Sequence, residues 1–452
     1  MEDRETRDFR PRKRDRGGES SLPPMDIYCS RYVSKLLSFT VKRKLKRLGE
    51  VTSVICSPDH ESVEKLRALK QLASLIVEDT RLGDYLDSKV LPELISFLEF
   101  KEQKTPLQAD GRVRKKPVLE DLVNRRFQYY SAIVLTNIVS SKKGFKFKDK
   151  AIPALVKLIT TWHWFVQIQV LCALSNIANV FPETCDAIIK HGAFEILESI
   201  ITNGRNHYAL RKSACELLSA LCKLYVPFEK RKIVLHTLKT AIFSESESVL
   251  VPTCLALSNF SNKRFVDVGA EVYKRILHLI EYTIPEVALS ALRVIGNHVR
   301  WCDNDRLQSI IIGGLPLHLM GLLHHKYTEV KKETCWIISN IIAAANNSQL
   351  QVVLNCQLII LLVGFVQKNK VELMEVASRA ISNAVLISDK NQFEYLREKC
   401  FEPSNTTRYF SNDARTIAAC LQIRDNILYR AKVLGCASLS QEMERLSIGA
   451  HD

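Results

Sequence analysis

Six asparagines recur at a constant place in short helical phrases, and their carboxamide side chains are the groups in this sequence best suited to binding chemistry. The phrases are LTNI, LSNI, LSNF, IGNH, ISNI and ISNA, at Asn137, Asn176, Asn259, Asn297, Asn340 and Asn383. A carboxamide offers both a donor and an acceptor, so it can bracket one peptide unit of an extended strand without reading side chains. A row of such groups predicts a surface that holds the backbone of an extended peptide.

The spacing of these asparagines predicts a repeat protein. The steps are 39, 83, 38, 43 and 43 residues, and the long step halves if LSAL, with Ala220 in the asparagine position, is a degenerate copy. A period of about 40 residues is typical of stacked helical repeats. Because residues four apart share a helix face, each asparagine has a neighbour one turn earlier. These neighbours vary: Ile133, Cys172, Glu216, Leu255, Arg293, Trp336 and Arg379.

Helical periodicity dominates the rest of the chain, and strand-like alternation is nearly absent. The stretch ESVEKLRALKQLASLI from Glu61 places leucines at the spacing that covers a core. A typical unit has a short first helix, a second such as 151–159 and a third such as 167–178. Gly192, Gly269 and Gly314 stand where the chain must turn between helices. An all-α fold follows.

The net charge of +15 is concentrated in three pieces of the sequence. Residues 1–50 carry fourteen Lys or Arg against eight Asp or Glu, residues 101–126 carry eight against four, and residues 142–150 carry five against one. We expect 1–50 to be a basic, largely disordered segment and 51–435 to be the repeat body. Within that body, 101–126 is expected to be a long basic loop between repeats, and 436–452 a flexible tail.

Composition excludes several classes of function. The thirteen cysteines form no CxxC pair or zinc-like cluster, and no apolar run reaches membrane-spanning length, so we expect a soluble intracellular protein without a cofactor. The motifs of the common hydrolases, nucleotide-binding and metalloprotease sites are absent, so we expect no catalysis. Trp162, Trp164 and Trp301 fall outside the asparagine phase and are interpreted as packing or loop residues.

Several phrases together resemble the importin alpha family, armadillo-repeat adaptors that carry proteins with basic nuclear localisation signals. They are CWIISNI at 335–341 after KKE, ALRVIGN at 291–297, ALSNIA followed by KHGA, and SAIVLTNI followed by AIPALVKLI. The similarity extends from residue 51 to about residue 435. It implies a right-handed superhelical solenoid of armadillo repeats, with localisation in cytoplasm and nucleus.

The resemblance also implies a peptide-binding groove, in which the later repeats keep more of the family's binding residues than the early repeats do. In the family, a tryptophan one turn before each asparagine lies along a lysine or arginine stem, and nearby acids receive the charged tip. Here the matching later residues are Arg293, Asn297, Asp303, Glu333, Trp336, Asn340 and Asn383. The early repeats have Ile133, Cys172 and Glu216 in the tryptophan positions, Ala220 in an asparagine position and Val180 in an acidic one. Binding there is expected to be weakened or altered.

Partners follow from the same resemblance. Two basic runs resemble parts of the segment that binds the carrier importin beta: Arg10, Arg12, Lys13 and Arg14, then Lys42, Arg43, Lys44, Lys46 and Arg47. The stretch 421–434 is similar to the helix that the family presents to its export factor. An alternative is an armadillo scaffold whose groove binds non-basic protein partners. Nucleic-acid binding is not expected, because the charge lies in flexible pieces without an aromatic platform.

Overall fold

The computed structural model describes residues 25–86, 88–100, 119–139, 144–161, 163–224, 226–367, 371–400 and 414–435. These ranges contain α-helices, three short 3₁₀-helices and no strand, which confirms the all-α fold. The helices are α1 Met25–Cys56, α2 Ser62–Glu78, α3 Val90–Leu98, α4 Leu119–Ile138, α5 Gly144–Leu158, α6 Trp164–Val180, α7 Cys185–Lys190, α8 Ala193–Thr202, α9 Tyr208–Cys222, α10 Arg231–Ala241, α11 Glu247–Ser261, α12 Ala270–Leu279, α13 Pro285–Trp301, α14 Asn304–Ile312, α15 Leu315–Leu322, α16 Thr328–Ala344, α17 Asn347–Asn355, α18 Leu358–Gln367, α19 Val371–Ile387, α20 Lys390–Cys400 and α21 Ala414–Val433.

The repeats stack through their long third helices. These helices form one row, each packed against the next: α2, α4, α6, α9, α11, α13, α16, α19 and α21. Shorter helices such as α14 and α15, or α17 and α18, complete each unit. A single hydrophobic cluster runs from Leu48 to Ala431 through the stack, so the described part of the chain is a solenoid with a continuous core.

Left-handed glycines make the sharp turns between first and second helices. Gly192 precedes α8 with φ 85° and Gly314 precedes α15 with φ 90°. Glycine adopts this region without the steric penalty that a Cβ atom brings. The predicted turns at these two residues are therefore confirmed.

Glutamine side chains fix the register between neighbouring first helices. Gln349 Nε2 donates to the carbonyl of Asn304 at 3.2 Å, and Gln392 Nε2 donates to the carbonyl of Asn347 at 2.7 Å. The two glutamines are 43 residues apart and both lie in buried positions. Each one satisfies a backbone acceptor at the start of the preceding repeat's first helix.

The predicted boundary after residue 50 falls inside α1 and needs correction. Leu48, Val51 and Ile55 are buried in the core, and α1 packs against α2 and α3. Their spacing of three and four residues places them on one face of the helix. The C-terminal part of α1 therefore belongs to the packed body. Residues 1–24 and 436–452 lie outside the described residues.

The predicted loop at 101–126 is too long at its C-terminal end. Helix α4 begins at Leu119, and Asp121 is already buried. Phe127 anchors this helix by packing its ring 4.6 Å from Phe97 and 5.4 Å from Phe100. The start of α4 was not evident from the sequence, because charged residues and the apolar residues that pack stand in the same stretch, 119–126. Residues 101–118 lie outside the described residues.

Cysteines and apolar helices pack inside the solenoid. Cys215, Cys254 and Cys335 form no disulfide and are buried. Burial raises the pKa of the Cys215 thiol to about 11, which makes it a poor nucleophile.

No single helix in the described ranges has the length and apolarity to cross a membrane, although the bent pair Asn347–Asn355 and Leu358–Val366 meets both conditions jointly.

A buried histidine makes stability depend on pH. His298 is 3 % exposed, its ring lies 6.0 Å from that of Tyr273, and burial lowers its pKa from 6.5 to about 4. Between pH 6.5 and about 4, this histidine is protonated in the unfolded chain but neutral in the folded chain. The free energy of unfolding therefore falls as the pH is lowered through this range, and it stops falling below about pH 4. The shift corresponds to a loss of roughly 3 kcal/mol.

We therefore expect His298→Gln to flatten the dependence of urea unfolding on pH between about 4 and 6.5, the window that the shifted pKa defines. His324→Gln is the control, because His324 is exposed. If His298→Gln kept the pH dependence of the unchanged protein, the assignment to His298 would be wrong.

Candidate peptide-binding surface

The asparagine side chains tie neighbouring third helices together. Four of them donate Nδ2 to the carbonyl of the residue just before the equivalent position in the preceding repeat. These bonds run from Asn176 to Thr136 at 3.2 Å, from Asn259 to Ser219 at 3.1 Å, from Asn297 to Ser258 at 2.8 Å and from Asn383 to Ser339 at 3.3 Å. Because every bond ends beside the previous rung, the carboxamides form a row across the stacked third helices.

This arrangement changes what the carboxamides can offer a ligand. One donor of each bonded asparagine is committed to the fold, whereas the sequence analysis treated both ends of the amide as free for peptide. Their Oδ1 atoms accept no hydrogen bond from the described residues. An Oδ1 acceptor held in place by a bonded Nδ2 suits the backbone N–H groups of an extended chain. The peptide-binding role of the row stays a prediction.

The row is interrupted at two steps. Ala220 has no amide and is buried. Asn340 has an amide, but its Nδ2 is buried without a hydrogen-bond partner. The residue that would receive it is Gly296, where the other repeats have serine or threonine. Asn340 is therefore the rung whose donor is not committed to the fold.

Trp336 explains the interruption at Asn340. A Cβ atom built on Gly296 would lie 2.4 Å from Cζ3 of Trp336 and 3.3 Å from Ile337 Cγ1. The indole thus occupies the space above Gly296 that a serine side chain would take. Glycine at this position lets a half-buried tryptophan lie against the preceding third helix. Trp336, Gly296 and Asn340 form one packing unit.

A carboxylate with restricted access to water lies in the same unit. Glu333 on α16 is 3.9 Å from Arg293 Nε on α13, with 21 % of its side chain exposed. Burial raises the pKa of Glu333 above its usual value, and Arg293 opposes that rise. We call Arg293, Gly296, Glu333, Trp336 and Asn340 the Trp336 cluster. It places a ring face, an acid and an uncommitted amide within about two turns of α16.

Asp303 is not part of this cluster. It caps the next helix, α14, by accepting the backbone N–H of Arg306 at 2.9 Å, and its other oxygen accepts Nη1 of Arg306 at 2.7 Å. Both carboxylate oxygens are thus engaged locally, as expected of an N-cap aspartate. Helix capping accounts for these contacts of Asp303, and its role as an acidic contact for a peptide stays a prediction.

The early repeats offer different chemistry. Asn137 turns back to its own helix and donates to the carbonyl of Ile133 at 2.8 Å. Glu216, in a tryptophan position, is 3.6 Å from Lys212. Cys172 lies half-buried with its Sγ 3.9 Å from Ser213. None of these three positions presents an aromatic face to a lysine stem.

The second predicted carrier-binding run lies on α1. Lys42, Arg43, Lys46 and Arg47 are exposed there, and Lys44 is 3.9 Å from Asp79 of the following segment. These cations therefore belong to a helix that caps the solenoid. The first run, at Arg10, Arg12, Lys13 and Arg14, lies outside the described residues.

Two features of the row were missed in the sequence. The first is the small residue before each asparagine, which receives the amide or, at Gly296, admits the indole. The signal was present in the phrases themselves, as LTN, LSN, IGN and ISN. The second is Asn426 on α21, which follows Asn383 by 43 residues and so continues the period. Its Oδ1 accepts Gln422 Nε2 at 3.4 Å.

No cluster in the described ranges has the residues to hold a metal ion.

Sequence comparison finds relatives that share one name. No family model matches the chain. It is 28 % identical over 286 residues to importin subunit alpha-1b of Oryza sativa subsp. japonica, covering 61 % of this chain and 49 % of that protein. It is 33 % identical over 268 residues to importin subunit alpha-4 of Arabidopsis thaliana, covering 57 % and 45 %. The chain spans about half the length of these curated relatives.

Comparison of structures supports the fold. An engineered protein of known crystal structure aligns with a TM-score of 0.61 and 20 % identity, covering 84 % of this chain and 98 % of that one. Units of about 40 residues, stacked through long third helices, define an armadillo-repeat protein. The named relatives confirm the resemblance to importin alpha that the phrases around the asparagines indicate, and over more than half of its length this chain is similar to importin alpha subunits.

A substitution at Gly296 tests the packing unit. We expect Gly296→Ser, which restores the residue type of other repeats, to lower the free energy of urea unfolding by about 1 to 3 kcal/mol, because its side chain collides with Trp336. Gly321→Ala is the control, since nothing lies within 4 Å of a Cβ atom at that exposed helical position. Unchanged stability in Gly296→Ser would contradict the packing assigned to Trp336.

The asparagine row is tested by comparing a buried rung with an exposed one. Asn297 is 6 % exposed and its Nδ2 lies near three acceptors, whereas Asn176 is exposed and makes one bond of 3.2 Å. We expect Asn297→Ala to cost about 1 to 3 kcal/mol and Asn176→Ala less than about 1 kcal/mol. Urea unfolding of both variants measures the difference. Equal losses would show that burial does not set the strength of the rungs.

Proposed function

We propose that this protein is a nuclear import adaptor, which holds a basic localisation signal on its later repeats and links the cargo to a carrier of the importin beta type. The single observation that carries this proposal is the Trp336 cluster, where a ring face, a carboxylate and an uncommitted carboxamide meet. The relatives' name, importin subunit alpha, agrees with it.

The chemistry of the cluster suits a lysine or arginine side chain. The aliphatic stem would lie along Trp336, with a cation–π attraction of about 0.5 to 2 kcal/mol. The charged tip would approach Glu333, whose carboxylate is poorly hydrated and only weakly compensated by Arg293 at 3.9 Å. An incoming cation would lower the raised pKa of Glu333, because it stabilises the ionised form.

The backbone of the signal would follow the asparagine row. Asn340 would donate its unpartnered Nδ2 to a peptide carbonyl, which removes the cost of leaving that buried N–H unsatisfied. Asn297 and Asn383, on the flanking helices α13 and α19, would accept peptide N–H groups through Oδ1. The flanking rungs are rigid because their Nδ2 atoms are bonded to the neighbouring repeat.

The early repeats contribute less to this function. Glu216 is paired with Lys212, and no tryptophan stands one turn before Asn137 or Asn176. We therefore place the signal on the later repeats. The exposed cations of α1 and the predicted basic run at 10–14 are the candidate contacts to the carrier, and 421–434 is the candidate contact to an export factor. An adaptor with these partners would move between cytoplasm and nucleus.

The site is tested by Trp336→Ala combined with Asn340→Ala. We expect the affinity for a fluorescently labelled Lys/Arg-rich signal peptide to fall at least about tenfold, a loss of about 1.4 kcal/mol. Fluorescence anisotropy measures the affinity. Glu333→Gln, which keeps size and shape, should weaken the same peptide while leaving the fold intact. Trp301→Ala is the matched control, because Trp301 is 41 % exposed and outside the cluster.

Two results would contradict the proposal. If the double variant bound the basic peptide as well as the unchanged protein, the assigned site would be wrong. If acidic or apolar peptides bound and basic peptides did not, the alternative of a scaffold for non-basic partners would take its place. The altered early repeats, with Ile133 and Cys172 where the family has tryptophan, are the observation that favours this alternative.

A further inference from the structure

A continuous row of aromatic rings crosses three early repeats, away from the asparagine phase. It consists of Tyr129, Tyr130, Trp164, Phe165, His207 and Tyr208, which we call the aromatic row. Ring centroids are 5.3 Å apart for Tyr130 and Tyr129, 5.7 Å for Tyr129 and Phe165, 6.4 Å for Phe165 and Trp164, 5.5 Å for Trp164 and His207, and 4.4 Å for His207 and Tyr208.

Three rings of the aromatic row are exposed to solvent. Trp164 is 52 % exposed, Phe165 37 % and Tyr208 56 %. The interpretation of Trp164 as a packing or loop residue is therefore wrong: it starts α6 with half of its surface in solvent. An exposed patch of this kind on a folded protein commonly marks an interaction site.

Stacking of the repeats does not require these rings. Trp164 and Tyr208 are the first residues of the third helices α6 and α9. The first residues of the later third helices are Glu247, Pro285, Thr328 and Val371. Among the described third helices, an aromatic first residue is therefore particular to α6 and α9, and the other third helices stack without one.

The charge around the row selects the kind of ligand. Residues 127–139, 159–170 and 203–212 contain no aspartate or glutamate, whereas 203–212 contains Arg205, Arg211 and Lys212. Arg211 is held in place by a bond from Nε to the carbonyl of Ile201 at 3.1 Å, and Arg205 is exposed. The nearest acid on α9, Glu216, is paired with Lys212. A cationic peptide would meet no carboxylate from these three segments, and an anionic ligand would meet arginines.

We propose that the aromatic row binds single-stranded nucleic acid. Bases would stack on the exposed faces of Trp164, Phe165 and Tyr208, and phosphates would contact Arg205 and Arg211. Every base has a π face, so such binding tolerates many sequences. Phosphate contacts with arginine release counterions, so affinity should fall as salt concentration rises. This proposal departs from the expectation that the chain does not bind nucleic acid.

The experiment measures binding of short labelled oligouridylate and oligothymidylate to the full chain by fluorescence anisotropy. Trp164→Ala combined with Tyr208→Ala should weaken oligonucleotide binding about tenfold or more, because two stacking faces are lost. Trp164→Phe combined with Tyr208→Phe should restore most of the affinity, since both rings remain. Arg205→Glu should weaken binding and reduce its dependence on salt. A preference for one oligonucleotide would distinguish an RNA ligand from a DNA ligand.

Controls separate this proposal from the proposed import function. Trp301→Ala removes a tryptophan that is also exposed but lies outside the row, and it should leave oligonucleotide binding unchanged. The Trp164→Ala and Tyr208→Ala variant should still bind a basic signal peptide normally. Three results would overturn the proposal: no oligonucleotide binding by the unchanged protein at micromolar concentration, full binding by the double alanine variant, or binding of a proline-rich peptide in place of oligonucleotide.

Discussion

The hydrogen bond from an asparagine amide to the preceding third helix is the interaction on which this structure depends. It joins two repeats through a carbonyl beside the previous rung, as between Asn297 and Ser258 at 2.8 Å. Hydrophobic burial stacks the helices, but it is not directional, so it does not by itself fix how they slide past one another. Directional bonds from Asn176, Asn259, Asn297 and Asn383 supply that register. The same bonds orient the remaining carboxamide oxygens, so stability and binding geometry come from one set of side chains.

The interruption at Asn340 shows how function could be introduced into such a row. Replacing the usual serine by Gly296 removes an acceptor side chain and makes room for Trp336. The donor of Asn340 has no partner within the described part of the protein, although Gly296 keeps the backbone carbonyl that receives the amide in other repeats. The rung that contributes least to the fold is therefore the one that lies beside an aromatic face and the carboxylate of Glu333. The unpartnered donor of Asn340 and the side chains proposed to bind a ligand therefore belong to the same few residues.

Much of this could be read from the sequence, for reasons that are local. The asparagine period and the leucine spacing predicted stacked helices, because both depend on the constant helical repeat of 3.6 residues. The pairing of Trp336 with Asn340 was visible for the same reason. The capping bonds of Asp303 were not, because an acid six residues after an asparagine can serve a groove or cap the next helix, and its bonds to Arg306 form only in the folded chain. The early boundary of the solenoid was also missed, because the helix of Leu48 and Ile55 continues through a charged stretch.

The aromatic row escaped sequence analysis because its members are distant in the chain. Phe165 and Tyr129 meet only after α4 and α6 pack side by side, and Trp164 meets His207 across the next repeat. The solenoid thus carries two chemically different surfaces: carboxamides with an acid in the later repeats, and rings with arginines in the earlier ones. A chain whose early groove has changed need not have lost binding there; its ligand class can have changed.

The central claim is that the asparagine row presents fixed acceptors to a stretched basic peptide at the Trp336 cluster. The most direct measurement is a crystal structure of the chain with a Lys/Arg-rich signal peptide bound. The account predicts peptide N–H groups on Oδ1 of Asn297 and Asn383, a peptide carbonyl on Nδ2 of Asn340, and a basic side chain along Trp336 towards Glu333. A peptide bound on another face of the solenoid, with the Asn340 amide still unpartnered, would contradict it.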